Sequence, residues 1–370
     1  MAGLIFAQIA GFWPTVGLSA LALALLIGAF LLYVWLTYVP TVAKMFLQPP
    51  MFQPTVTEPD PGGEDVRFPT EDGLELCGTY YPTLAESRLG VVVFCHEFLS
   101  DRHSVYEYVG SLRTAGFDLF AFDFRNHGDS ASEPGLKPIH WVTDRELIDL
   151  RGALNYLKTR PDADPAGFGL FGVSRGGGAA LFVTAEDPAV WAVATDGAFP
   201  TRSTMLTYVH RWAEMVVRRW WIHWMPNWIF RFAAATGRIR ASRILARSLP
   251  RLERAVKKVP PRPWLCIHGE KDSYVPVDVI RELVTHAGKK AAVELWVVPE
   301  AKHNRCREVA PDEYRARTNE FFQQNAPRTS SVLAPDYALA TGGNGSTPPS
   351  LGPLVATHAK LASPSHSPAP

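Results

Sequence analysis

Hydrophobic and polar positions divide this chain into stretches of very different character. Residues 16–39 form an uncharged, largely apolar span of 24 residues, and no charged side chain occurs before Lys44. As a helix the span would measure ~36 Å at ~1.5 Å per residue, enough to cross a bilayer. Trp13, Tyr33, Trp35 and Tyr38 fall near its ends, where interfacial aromatics sit. A cleaved signal peptide is the competing reading, but it expects a basic start and a shorter apolar region. Residues 1–47 are therefore expected to be a single-pass anchor that places the protein in a membrane. Lys44 follows the span and nothing basic precedes it, which puts the rest of the chain on the cytoplasmic side.

The pattern then shortens. Residues 48–64, rich in proline, read as a linker. Residues 66–82 carry Glu71-Asp72-Gly73 between alternating runs, a hairpin signal. Apolar runs of strand length follow at 91–95, 119–122, 167–171, 190–195, 264–267 and 293–297, with helical stretches at 105–115 and 143–159. Strands alternating with helices imply an α/β fold, a mostly parallel sheet with helices on both faces, over residues 65–326. The alternation stops at about 200–260, where a helical insertion, a cap, is expected. Residues 327–370, rich in Pro, Ser, Gly, Thr and Ala, are expected to be disordered.

Composition adds little until it is read locally. With 370 residues, 47% of them hydrophobic, the chain can bury a large core, and its net charge of +1 selects no partner. Residues 201–262, however, hold fourteen Arg and Lys against two Glu, which suggests an anionic surface or ligand nearby. Here Trp212, Trp220, Trp221, Trp224, Trp228, Phe230 and Phe232 interleave with Arg211, Arg218, Arg219 and Arg231. Such a segment is either a cap packed on the domain with its arginines in water, or a lid that touches the membrane surface and admits an acyl chain. No nucleic-acid motif accompanies the charge. Cys77, Cys95, Cys266 and Cys306 are too scattered for a disulfide framework and read as small reduced core residues.

The chemistry centres on Gly169-Leu170-Phe171-Gly172-Val173-Ser174-Arg175-Gly176-Gly177-Gly178, an apolar run ending in G-x-S-x-G and leading into a helix-compatible segment. Glycines two places either side of Ser174 permit a strand, sharp turn and helix that expose its hydroxyl. Serine is a poor nucleophile alone. Asp272 and His303 supply a carboxylate and a base, each just past the carboxyl end of a predicted strand, where open parallel sheets place their sites.

With these motifs in place, the chain resembles the α/β-hydrolase family over roughly residues 65–325. The resemblance rests on Gly172-Val173-Ser174-Arg175-Gly176, on His268-Gly269-Glu270-Lys271-Asp272, on His303, and on Asp123-Phe124-Arg125-Asn126-His127-Gly128-Asp129-Ser130, similar to the family's D-x-R-G-H-G-x-S turn. It implies Ser174 as nucleophile, His303 as general base and Asp272 as the carboxylate orienting it. The backbone N–H of Arg175 would be one oxyanion donor. The resemblance places a second in the loop His96-Glu97-Phe98-Leu99, assigned by position to Phe98, with Glu97 as the alternative.

The implied protein is a serine hydrolase acting on an ester or thioester of a small or amphiphilic acyl substrate, with no metal and no cofactor. An aminopeptidase of the same fold and a catalytically inactive membrane-bound binding module are the alternatives. Glu97 stands where the family has glycine, and it either pairs with a cap arginine or tunes the substrate. Asp196 is a second candidate acid. His268 reads as a packing residue, and His127 and Asp123 as turn stabilisers.

Overall fold

The computed structural model describes residues 2–48, 57–60, 62–287 and 292–327, the side chains of residues 2–15 and of Arg219 excepted. The expected tail beyond Pro327 and residues 49–56 of the expected linker lie outside the described residues. The chain begins with two helices, α1 (Ala2–Thr37) and α2 (Val39–Leu47). Pro40 brings no N–H to the helical ladder, and the helix is interrupted at Tyr38. From Val16 onward the apolar side chains of α1 are mostly exposed, and this is the one described helix long and apolar enough to cross a membrane. Helix α2 behaves differently, since Val39, Val42, Ala43 and Phe46 are buried.

Next come β1 (Glu64–Pro69), β2 (Glu75–Tyr81), β3 (Gly90–Cys95), α3 (Val105–Val109), β4 (Phe117–Phe122) and α4 (Asp144–Thr159). They are followed by β5 (Phe168–Val173), α5 (Arg175–Thr184), β6 (Val190–Asp196), α6 (Thr201–Val216), α7 (Arg219–Trp224), α8 (Asn227–Leu245) and α9 (Leu252–Ala255). Then β7 (Pro263–Gly269), α10 (Val277–Ala287), β8 (Ala292–Val298), α11 (Cys306–Val309) and α12 (Pro311–Asn325) complete the described chain.

Where one helix was expected over 105–115, α3 stops at Val109 and a 3-10 turn spans Gly110–Arg113. A mid-helix glycine costs ~1 kcal/mol relative to alanine, and the chain tightens there. Helix α4 starts on a reciprocal cap: Thr143 N–H donates to Glu146 Oε2 (2.7 Å) and Arg145 N–H to Thr143 Oγ1 (3.1 Å).

The eight strands form one sheet in the order β1-β2-β4-β3-β5-β6-β7-β8. The first two join antiparallel, β2 meets β4 antiparallel, and all other pairs are parallel. The chain leaves β3 for β4 on one side and reaches β5 on the other, so the strand order reverses at β3. Parallel sheets open a crevice at the carboxyl ends of strands flanking such a reversal. One face buries Leu150 and Leu154 of α4, Leu181 of α5 and Leu283 of α10. The other buries Tyr108 of α3 and Tyr314 and Phe322 of α12 against Phe94 and Phe171.

A third core lies away from the sheet. Val42 and Phe46 of α2 pack with Met205 and Val209 of α6, Phe230, Ala233 and Ala234 of α8, and Trp141 and Phe199. Phe46 and Trp141 have ring centroids 5.1 Å apart. Each large side chain fully buried here contributes about 1.5–3 kcal/mol relative to exposure. Close approach of the two helices depends on Gly237, where an added Cβ would lie 2.9 Å from Val42 Cβ. The segment after the apolar span is therefore part of the folded body, docked on the cap.

Candidate active site

Ser174 closes β5 with φ 51° and ψ −113°, a conformation costly for a residue with a side chain. Its own backbone holds it there: Ser174 N–H donates to Asp196 O (2.7 Å) and Gly178 N–H to Ser174 O (3.1 Å). The flanking glycines are sterically required. A Cβ on Gly172 would come within 2.6 Å of Gly176 O, and one on Gly176 within 2.5 Å of His96 O.

The structure brings three distant side chains together at the sheet's carboxyl edge. Ser174 Oγ lies 2.9 Å from His303 Nε2, and His303 Nδ1 lies 2.6 Å from Asp272 Oδ2. Asp272 Oδ1 accepts the backbone N–H groups of Tyr274 and Val275, both at 2.8 Å. Burial opposes the Asp272 charge, but His303 and those hydrogen bonds outweigh it and hold the carboxyl below its ordinary range. An ionised Asp272 can only accept, so His303 Nδ1 carries the proton and Nε2 is left to accept from the serine hydroxyl. The loops after β7 and β8 are stitched by Glu270 N–H to Val298 O (2.9 Å) and Lys271 N–H to Ala301 O (2.8 Å). Gly269 leaves room between them, since a Cβ there would meet Lys302 O at 2.8 Å.

Other sequence candidates lie close by in different roles. Asp196 is fully buried, accepts from Tyr314 Oη (3.0 Å), and is raised to about 6 chiefly by burial. His268 Nε2 donates to Val275 O (2.8 Å) and stands 3.6 Å from Asp272 Oδ2. Asp123 accepts from Arg102 N–H (2.7 Å) and Asp129 N–H (2.9 Å) and pairs with the Arg102 side chain. Glu97 is buried and accepts from Tyr108 Oη (3.2 Å), with Ser104 Oγ at 3.5 Å, so its carboxylate is held beside α3. Phe98 is buried, its ring 5.3 Å from the Arg175 guanidinium carbon.

Sequence reasoning gave no role to the Arg175 side chain, which is wholly buried next to Ser174 in the chain. It donates to Glu146 Oε1 (3.3 Å), Ile139 O (3.2 Å) and His127 Nε2 (3.2 Å). Burial and then the Arg175 charge push His127 and His140 down to about 3. His96 is fixed as neutral imidazole by Phe124 N–H on Nε2 (3.1 Å) and Glu97 O on Nδ1 (2.7 Å). No local pattern in the sequence signals this group, because its members come from four separate segments.

Residues 90–260 match the family model described as the alpha/beta hydrolase fold. The chain has the alpha/beta-hydrolase fold. That match contains Ser174 and ends before Asp272 and His303, which the tertiary structure supplies. The Pyrococcus furiosus esterase Pf2001 shares this hydrolase fold at a TM-score of 0.56, with 23% identity, covering 76% of this chain and 100% of that one. The uncharacterized protein Rv2307c of Mycobacterium tuberculosis is 25% identical over 288 residues, 76% of this chain and 85% of its own. Thiohydrolase aneE of Aspergillus aculeatus is 30% identical over 127 residues, 34% of this chain and 38% of its own.

Proposed function

We propose that this chain is a membrane-anchored serine hydrolase that cleaves a carboxylic ester or thioester through an acyl-enzyme on Ser174. The observation that carries the reading is the continuous relay of 2.9 and 2.6 Å from Ser174 Oγ through His303 to Asp272. As Ser174 Oγ attacks the acyl carbon, its proton passes to His303 Nε2, and ionised Asp272 stabilises the resulting imidazolium. His303 then returns the proton to the leaving alcohol or thiol, and water, deprotonated by the same imidazole, releases the acid. The oxyanion would sit on the N–H of Arg175, the first residue of α5 and one whose N–H has no intrahelical acceptor, with Phe98 N–H as the second donor.

An esterase among the structural neighbours and a thiohydrolase among the relatives support the ester and thioester classes. For the anchor, support comes from the exposed apolar face of α1 and from Trp220, Trp221, Trp224 and Trp228, all exposed on the cap to which α1 leads. The test is fluorophosphonate labelling of membranes carrying the wild-type or Ser174→Ala chain, beside a panel of esters, thioesters and aminoacyl-anilides. Wild type should label and turn over acyl esters or thioesters, and Ser174→Ala should lose labelling and roughly 10⁴-fold or more in kcat. Absence of wild-type labelling would favour the binding module, and anilide turnover without ester turnover would favour an aminopeptidase.

A further inference from the structure

Four arginines of the cap and its flank, Arg202, Arg231, Arg238 and Arg251, line one cavity of about 330 Å³, together with apolar Phe46 and Met205. Among the described residues none of the four forms an ion pair, although nearly every arginine around the sheet does. One carboxylate lies near them: Glu253 Oε1 accepts Arg202 N–H (2.7 Å) and Ser203 N–H (3.0 Å), Oε2 is buried without a hydrogen-bond partner, and the group forms no ion pair with any of the four. Arg238 Nη1 reaches only a carbonyl, Leu249 O (2.9 Å). Burial, and then neighbouring Arg251 and Arg254, pull the Arg238 guanidinium below its ordinary value, and the Glu253 carboxylate offsets them only in part, as expected of a crowded cationic site with one carboxylate among several guanidinium groups. Phe46 lies in the last turn of α2, the helix that follows the apolar span, so a charged cradle with an apolar wall lies one short helix beyond α1.

We infer that this cavity binds the phosphate headgroup of an anionic membrane lipid, the guanidinium groups holding the phosphate and the wall of Phe46 and Met205 meeting the start of an acyl chain. Planar guanidinium forks suit phosphate oxygens, and the site sits apart from the serine relay. The inference rests on the membrane reading of α1. Retention of the chain in a bilayer reports that anchor, and lipid selectivity reports the cavity, so the two can fail separately.

The full chain is placed in nanodiscs of phosphatidylcholine, or of phosphatidylcholine with phosphatidylglycerol, and its melting and its retained lipids are measured. Wild type should melt higher with phosphatidylglycerol and should retain it over phosphatidylcholine by roughly tenfold or more. The double variant Arg238→Gln, Arg251→Gln should lose both effects, the shift with phosphatidylglycerol being read against the variant's own melting in pure phosphatidylcholine, since it also loses the Arg238 bond to Leu249 O and the attraction to Glu253. Arg240→Gln with Arg243→Gln, on the helix of Arg238 but outside the cavity, should keep both. Equal loss in this control, no preference in wild type, or the full stabilisation reproduced by inorganic phosphate alone would overturn the proposal.

Discussion

Around Ser174 the imidazoles are sorted by what faces their nitrogens. His303 looks at a hydroxyl on one side and a carboxylate on the other, a geometry that lets a proton arrive and leave. His127 has Arg125 O on Nδ1 (2.9 Å) and an Arg175 donor on Nε2, so a second proton would meet a cation. His140 is 3% exposed and is likewise held at about 3, by burial first and then by Arg175. Both are depressed from an ordinary value near ~6.5, so the unfolded chain binds more protons than the folded one between those limits. Their stabilising contribution is complete above about 6.5 and is lost as pH falls toward 3, at ~1.4 kcal/mol per pH unit for each histidine. Asp196, raised to about 6, acts in the opposite sense over its own range. His140→Phe should therefore flatten the fall in stability from pH 6 to pH 4 by about one proton in denaturant melts. An unchanged slope would show that His140 titrates normally in the fold.

At the level of elements, the contact of α2 with α8 turns on one missing side chain. Replacing glycine inside a helix ordinarily gains ~1 kcal/mol through propensity. At Gly237 the gain is overridden, because a new Cβ would press on the β-branched and buried Val42. Gly237→Val should lower the melting temperature and raise hydrogen exchange across residues 39–47, leaving exchange in β5 and α5 unaltered. Faster exchange in the sheet as well would mean that the cap and the sheet unfold as one unit. The other elements obey local rules: β3 and β5 are buried along their whole length, and the capping box at Thr143 starts α4 where the periodicity begins.

For the molecule as a whole, the docked α2 changes what a form lacking α1 should be. A chain beginning at Gln48 would uncover the third core, whereas one beginning at Val39 keeps Val42 and Phe46 in place. The Val39 form should be the more stable by several kcal/mol, since burial of Phe46 alone is worth about 3–5 kcal/mol on truncation. Relative melting in denaturant checks this, and equal stability would mean that α2 is dispensable to the cap. With its tryptophans still exposed, the Val39 form is also the right one for asking whether the cap itself binds anionic vesicles.

Much of this was legible without coordinates. Uninterrupted apolar runs such as 91–95 can only be strands covered on both faces, and alternation with helices then dictates a parallel sheet. The glycine spacing about Ser174 encodes its sharp turn, because a backbone that tight tolerates no neighbouring Cβ. Asp272 and His303 could be nominated from their places after predicted strands. Their approach to Ser174 could not, since pairing across 129 residues depends on strand order and on the loops joined at Gly269. Nor could local pattern show that Arg175 is buried on Glu146, that Glu97 is taken up by Tyr108, or that residues 39–47 fold onto the cap. Periodicity records which side of an element is apolar, but only the packed chain decides which distant element covers it.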